Sequence, residues 1–159
     1  MEIYFLRHGI AEDHSTSGRD ADRRLTEEGR EKLRRVLERA HGAGVNPSLI
    51  LASHLKRAIE TAEIAAHELG YEGKIVRVDS LQPGGPPPGV WDELRSRHNE
   101  SAILLCGHEP QFSSTVAFLL GSSHAMIQFR KGALVRIDVD GLGAQPRGVL
   151  QWMITPKLA

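Results

Sequence analysis

Ile3-Tyr4-Phe5-Leu6-Arg7-His8-Gly9 is the stretch whose reading decides the fold. Four apolar, strand-prone side chains deliver a guanidinium and an imidazole together at the carboxyl end of a predicted strand, which is where open α/β sheets place their chemistry. Arg7 disfavours the charged form of the neighbouring His8, and a neutral imidazole can attack phosphorus. Gly9 removes a side chain from the turn, so backbone N–H groups are expected to come near an anion. At ordinary residue frequencies Arg-His-Gly arises by chance in such a chain about one time in a hundred. The motif therefore needs support from elsewhere in the sequence.

That support comes from two further apolar runs. Ala102-Ile103-Leu104-Leu105-Cys106 is followed by Gly107-His108-Glu109-Pro110, so a second strand ends in a histidine. Leu49-Ile50-Leu51-Ala52 is followed by Ser53 and then Arg57, at the opening of an amphipathic segment. If the three strands are parallel, their polar ends meet at one edge. Ser53 precedes a helix start, where capping competes with phosphate contact as its role.

Between these runs the hydrophobic period alternates. Thr26 offers an N-cap with Glu27 and Glu28 in the first turn, Leu33, Val36, Leu37 and Ala40 recur at helical spacing, and Gly42 and Gly44 supply a stop. A second helix is predicted from about Leu55 to Leu69, a third strand over Ile75 to Val78, a short helix near Val90 to His98, and another helix from Gln111 to Leu120. Gln82 to Gly89, rich in proline and glycine, is expected to be a rim loop with no helix. Leu134 to Val139 and Val149 to Ile154 flank a glycine-rich turn and read as an antiparallel hairpin. The predicted architecture is α/β: one domain over residues 1–159, a three-layer sandwich with a mostly parallel sheet, helices on both faces and a C-terminal antiparallel hairpin.

Composition narrows the function. The 159 residues are 40% hydrophobic and 25% charged, enough for one core. Twenty basic residues balance twenty acidic ones, so no global field draws the chain to nucleic acid or to a membrane surface, and any phosphate affinity must come from local clustering. The single cysteine, Cys106, reads as a buried small hydrophobe. With no signal peptide or long apolar span, a reducing cytoplasm is the expected compartment. The eight histidines show no metal-ligand spacing, so neither a metal nor another cofactor is expected.

Taken together, Leu6-Arg7-His8-Gly9, Arg23, Leu25-Thr26-Glu27-Glu28-Gly29, Ser53 with Arg57-Ala58 and Thr61-Ala62, Gly107-His108-Glu109-Pro110 and Phe129-Arg130-Lys131-Gly132 resemble the histidine phosphatase, or phosphoglycerate mutase-like, superfamily. Within it they are most similar to the small SixA-type phosphohistidine phosphatases. The resemblance implies that His8 is the nucleophile and becomes a phosphohistidine. It implies that Arg7, Arg57 and His108 stabilise the transferring group, with Gly9 and a further arginine contacting phosphate. That arginine is Arg23 by position, with the adjacent Arg24 as the alternative.

Larger relatives of this kind carry a carboxylic acid after the third strand, which protonates an alcohol leaving group; here the stretch reads Leu81-Gln82-Pro83. A phosphate ester needs that proton, whereas phosphohistidine expels an imidazole of pKa about 6.5. The expected substrate is a phosphohistidine-bearing protein, such as a phosphotransfer domain. The alternatives are a phosphomonoesterase acting on a small phosphorylated molecule, with Glu109 as a candidate acid, and a non-catalytic phosphoprotein-binding module.

Overall fold

The computed structural model describes residues 1–159. β1 (Glu2–Arg7) lies inside the sheet, and Ile3, Tyr4, Phe5 and Leu6 are fully buried. It pairs in parallel with β4 (Ala102–Gly107), which sets Arg7 opposite Gly107. On its other edge it pairs antiparallel with β5 (Leu134–Val139). β2 (Leu49–Ala52) adds to β4 in parallel, β3 (Val76–Arg77) forms the edge beyond β2, and β6 (Gly148–Ile154) closes the other edge as a hairpin partner of β5. The six strands run in the order β3-β2-β4-β1-β5-β6.

The sheet is covered on both faces, which is why its central strands read as continuous apolar runs. The two-residue strand period sorts the core. Ile3 and Phe5 pack on one side with Trp91 and Leu94 of α3 (Pro87–Ser96) and with Phe112 and Val116 of α4 (Gln111–Leu119). Tyr4 and Leu6 pack on the other with Leu33, Val36 and Leu37 of α1 (Glu27–Gly42) and Ala62 and Ala65 of α2 (Lys56–Glu68). Cys106 is buried in this second core, as expected, and burial pushes its thiol well above the ordinary range. No helix is long and apolar enough to cross a membrane.

α1 starts where its sequence directs. Thr26 Oγ1 accepts a hydrogen bond from the Gly29 N–H at 3.0 Å, and the Thr26 N–H donates to the Ile10 carbonyl at 2.9 Å. This fastens the helix to the chain just beyond His8. Gly29 is required by the closeness of that contact: a Cβ there would stand 2.2 Å from the Ile10 carbonyl oxygen.

Two expectations need correction. The predicted strand at Ile75 to Val78 is reduced to Val76–Arg77, because only Leu51 and Ala52 of the short β2 lie alongside it and a 3₁₀ turn begins at Asp79. The loop assigned to Gln82 to Gly89 ends earlier than expected, since α3 begins at Pro87. Prolines are tolerated in a first helical turn, where their missing N–H groups have no partner to lose.

Candidate active site

The parallel pairing of β1 and β4 brings the two strand-end histidines together. The His8 N–H donates to the Gly107 carbonyl at 3.0 Å, and the His8 and His108 rings lie 5.2 Å apart between centroids. Both are nearly enclosed, at 6% and 2% exposure. His8 Nδ1 lies 2.7 Å from the Gly9 carbonyl oxygen. A carbonyl can only accept, so the proton sits on Nδ1 and Nε2 keeps its lone pair.

His8 is neutral because burial drives its pKa down to about 3; the bond to Gly9 opposes this, and His108, Arg57 and Arg7 add smaller pushes in the same direction as burial. The sequence reading credited Arg7, but desolvation is the larger cause. His108 is likewise lowered to about 4 by burial, with Arg57 next. Its Nε2 sits 2.9 Å from Ser53 Oγ, while its Nδ1 is buried without a protein partner. Ser53 Oγ already accepts the Leu55 N–H at 3.3 Å, so its own proton is free to go to His108 Nε2. That tautomer leaves His108 Nδ1 protonated and without a protein partner. Ser53 is therefore the partner of His108, and Leu55 occupies the N-cap position of α2.

Two guanidinium groups accompany the histidines, that of Arg57 buried and that of Arg7 partly buried. Arg7 Nη1 donates to the Phe129 carbonyl at 2.6 Å, and Arg57 donates through Nη1 to the Asp20 carbonyl at 3.0 Å and through Nη2 to the Asp20 carboxylate at 3.2 Å. The Nε of each is buried with no partner. Arg23 donates to the other Asp20 oxygen at 2.9 Å and to the Glu12 carbonyl at 2.9 Å. Asp20 thus ties Arg23 to Arg57. Partial burial works against its charge, but the two arginines outweigh that and hold its carboxyl below the usual range. Arg24 is exposed and takes no part in this cluster. Of the two candidates, Arg23 is the one brought to Arg57.

Gly9 has a different role from the one expected. Its N–H donates to Thr61 Oγ1 at 3.2 Å, so it does not point at the site. Thr61 Oγ1 in turn donates to the Arg57 carbonyl at 2.7 Å, which braces the Gly9 turn against α2. A Cβ on Gly9 would approach Leu33 Cδ1 to 2.7 Å and the Gly29 carbonyl to 3.1 Å. The missing side chain serves packing against α1. Glu109 accepts the Ser113 N–H at 2.7 Å and so serves the first turn of α4. Gln82 is exposed. Its rim loop is held by buried Gln111, whose Nε2 donates to the Ser80 and Gly85 carbonyls at 2.7 and 3.1 Å. His54, on the same rim, faces Asp79 at 3.0 Å.

Asp20 and Gln111 were not singled out as site residues in the sequence, and Thr61 entered only within the Thr61-Ala62 motif, with no role assigned to it. Asp20 carried one local signal, a spacing of three residues before Arg23 on a polar turn. Thr61 carried another, four residues after Arg57 on the same helix, where a hydroxyl can bond back to the carbonyl. Gln111 carried none.

Fold and site together define a phosphoryl-handling enzyme of the α/β class, with two neutral histidines accompanied by a buried Arg57 and a partly buried Arg7. Residues 3–82 match the model of the histidine phosphatase superfamily, branch 1, and the chain belongs to that family. It is 33% identical over 141 residues to an uncharacterized protein of Picosynechococcus sp., spanning 85% of this chain and 83% of that one. It is 36% identical over 87 residues to the mitochondrial serine/threonine-protein phosphatase Pgam5 of Drosophila ananassae, a match that spans 54% of this chain and only 29% of that protein. Among solved structures, a protein histidine phosphatase SixA complexed with tungstate superposes with a TM-score of 0.88 at 24% identity, covering 99% of this chain and 98% of that one. A phosphohistidine phosphatase SixA from Agrobacterium tumefaciens gives 0.84 at 23% identity, over 98% and 97% of the two chains. Family membership supports phosphatase activity.

Proposed function

We propose that this chain is a phosphohistidine phosphatase whose single domain over residues 1–159 transfers phosphorus from a protein-borne imidazole to His8 and then to water. The observation that carries the reading is the contact between His8 Nδ1 and the Gly9 carbonyl. It fixes the proton on Nδ1, aims the Nε2 lone pair into the site and holds the ring in place during attack.

The chemistry balances in two displacements. His8 Nε2 forms a bond to phosphorus as the bond to the substrate's imidazole nitrogen breaks, and that imidazole leaves neutral when its distal nitrogen carries a proton. Water then attacks phosphorus as the bond to His8 Nε2 breaks, its proton passes to a phosphoryl oxygen, and inorganic phosphate leaves. The intermediate resembles the substrate: His8 keeps its Nδ1 proton on Gly9, so it too departs as a neutral imidazole. Arg7, Arg57 and the His108 Nδ1–H are donors for the charge on the transferring oxygens. Arg23 joins them once an anion replaces the Asp20 carboxylate.

The leaving-group argument favours nitrogen over oxygen. An alkoxide requires a proton donor, and neither nearby carboxyl suits: Glu109 is committed to Ser113, and Asp20 is held in its ionised form by two arginines. A phosphohistidine has no such requirement. Positive charge for the transfer comes from guanidinium groups, and no three His, Cys, Asp or Glu side chains converge as a metal site. The proposed transfer calls for no metal, because the arginines supply the charge that balances the phosphoryl oxygens. The lone buried thiol fits a reducing cytoplasm.

The test compares a histidine-phosphorylated phosphotransfer domain with p-nitrophenyl phosphate and a sugar phosphate under matched conditions. Turnover is expected to favour the phosphohistidine protein by at least tenfold in kcat/KM. Preferred ester turnover would overturn the substrate assignment, and no turnover of any of the three would point to a binding module.

A further inference from the structure

From the charge around Arg7 we infer a docking groove for an acidic face of the phosphohistidine-bearing protein, lined by Lys32, Arg35, Arg130, Lys131 and Lys157 and opening onto Arg7. The inference rests on the phosphatase reading above and adds the chemistry by which the partner is recognised.

The groove has a volume of about 960 Å³, and no carboxylate lines it. In a chain whose charges sum to zero, six cations sharing one concavity form a local positive field. They come from separate parts of the chain. Lys32 and Arg35 lie on α1, Arg130 and Lys131 on the segment before β5, and Lys157 beyond β6. The fold therefore assembles the cluster; it is not a run of like charge in the sequence. Lys32 pairs with Glu28, but Arg35, Arg130, Lys131 and Lys157 form no ion pair, although eight of the chain's other basic side chains do. All four are exposed.

Arg7 connects the groove to the chemistry. Its backbone precedes His8, its guanidinium is anchored on the Phe129 carbonyl, and it also lines the groove. Arg130 and Lys131 follow Phe129 directly, so the segment that anchors Arg7 also carries two of the free cations. An acidic surface seated along these cations is steered toward the histidines. Charges on the rim of an encounter surface act mainly on association rate and salt dependence, so the effect belongs in kcat/KM and not in the chemical step.

The experiment uses the full chain, the double variant Arg130→Glu/Lys131→Glu and the single variant Lys157→Glu. Each is assayed on two probes: an acidic phosphotransfer domain phosphorylated on histidine, and free phosphohistidine. For the double variant kcat/KM on the protein is expected to fall about tenfold or more, with a flattened dependence on salt, while turnover of free phosphohistidine stays within twofold. Lys157→Glu is expected to act in the same direction with a smaller loss. Converting the surface carboxylates of the phosphotransfer domain to amides is expected to abolish the difference between parent and variants. Unchanged kcat/KM on the protein, with free phosphohistidine still turned over, would overturn the groove and leave the phosphatase reading standing. Loss on both probes would place these residues in the fold or the chemistry and also overturn it. No turnover of either probe by the parent chain defeats the phosphatase reading, and the groove with it.

Discussion

Arg57 and Asp20, 37 residues apart in the chain, are joined by two hydrogen bonds, one to the Asp20 carbonyl at 3.0 Å and one to its carboxylate at 3.2 Å. A carboxylate therefore occupies a donor that a phosphoryl oxygen would use, while the carbonyl bond holds the guanidinium in place. Replacing Asp20 by Ala removes the competing charge and keeps the backbone anchor. Inhibition by inorganic phosphate is expected to tighten roughly threefold to tenfold, in line with an exposed unit charge a few ångströms away in a high dielectric. Weaker inhibition in Asp20→Ala would mean that the carboxylate instead orients Arg57 for the anion.

Removing a guanidinium from the site costs more. Arg57→Ala is expected to lower kcat/KM by about 10²–10³, the loss typical of deleting one donor aimed at developing charge. Arg57→Lys is expected to recover only part of it, because an ammonium cannot reproduce a planar pair of donors. Steady-state kinetics on a phosphohistidine protein check both.

Ser53 acts through His108, so it is a positioning residue. Ser53→Ala frees the His108 ring and its tautomer, and kcat is expected to fall about tenfold with KM little changed, compared with about a hundredfold for His108→Ala. Nitrogen-detected NMR gives the distinguishing readout: His108 is expected as the Nδ1–H form in the parent chain and as a tautomer mixture in Ser53→Ala. A single unchanged tautomer in the variant would remove Ser53 from this role.

The buried histidines also set a pH dependence of stability. Folded His8 and His108 bind protons only near pH 3 and 4, whereas in the unfolded chain both take them up near the ordinary value of about 6.5. Their contribution to stability is therefore complete above about pH 6.5 and is lost as the pH falls toward the folded values. Urea midpoints are expected to drop between pH 7 and pH 5, with a shallower slope in His8→Ala. In NMR titrations of the intact protein neither ring is expected to protonate above pH 5. A His8 titration between pH 6 and 7 would contradict the burial argument.

What could be read from the sequence was the part that depends on short-range pattern. The apolar run at Ile3 to Leu6 gave a central strand because continuous hydrophobicity marks burial on both faces, and the histidines after it and after Cys106 followed from parallel pairing. The Thr26 cap was equally local. Sequence alone did not find Asp20, because its partnership with Arg57 is made only when the loop after β1 folds onto α2. Gly9 was misread since one signal, a missing Cβ, serves anion approach and tight packing alike; only Leu33 and Thr61 decide between them. Pro87 was misread because proline excludes a helix interior but not a helix start. The neutral state of His8 was anticipated, though its main cause, burial, is a property of the assembled core.

The central claim is that phosphorus passes onto His8 Nε2. The most direct test is to mix the enzyme with ³²P-labelled phosphohistidine protein, quench within milliseconds, and map the label by peptide mass spectrometry and ³¹P NMR. The account predicts an acid-labile phosphoramidate on the peptide containing His8, bonded at Nε2, absent from His8→Ala along with turnover. A label on His108 or another residue, or sustained hydrolysis by His8→Ala, would contradict it.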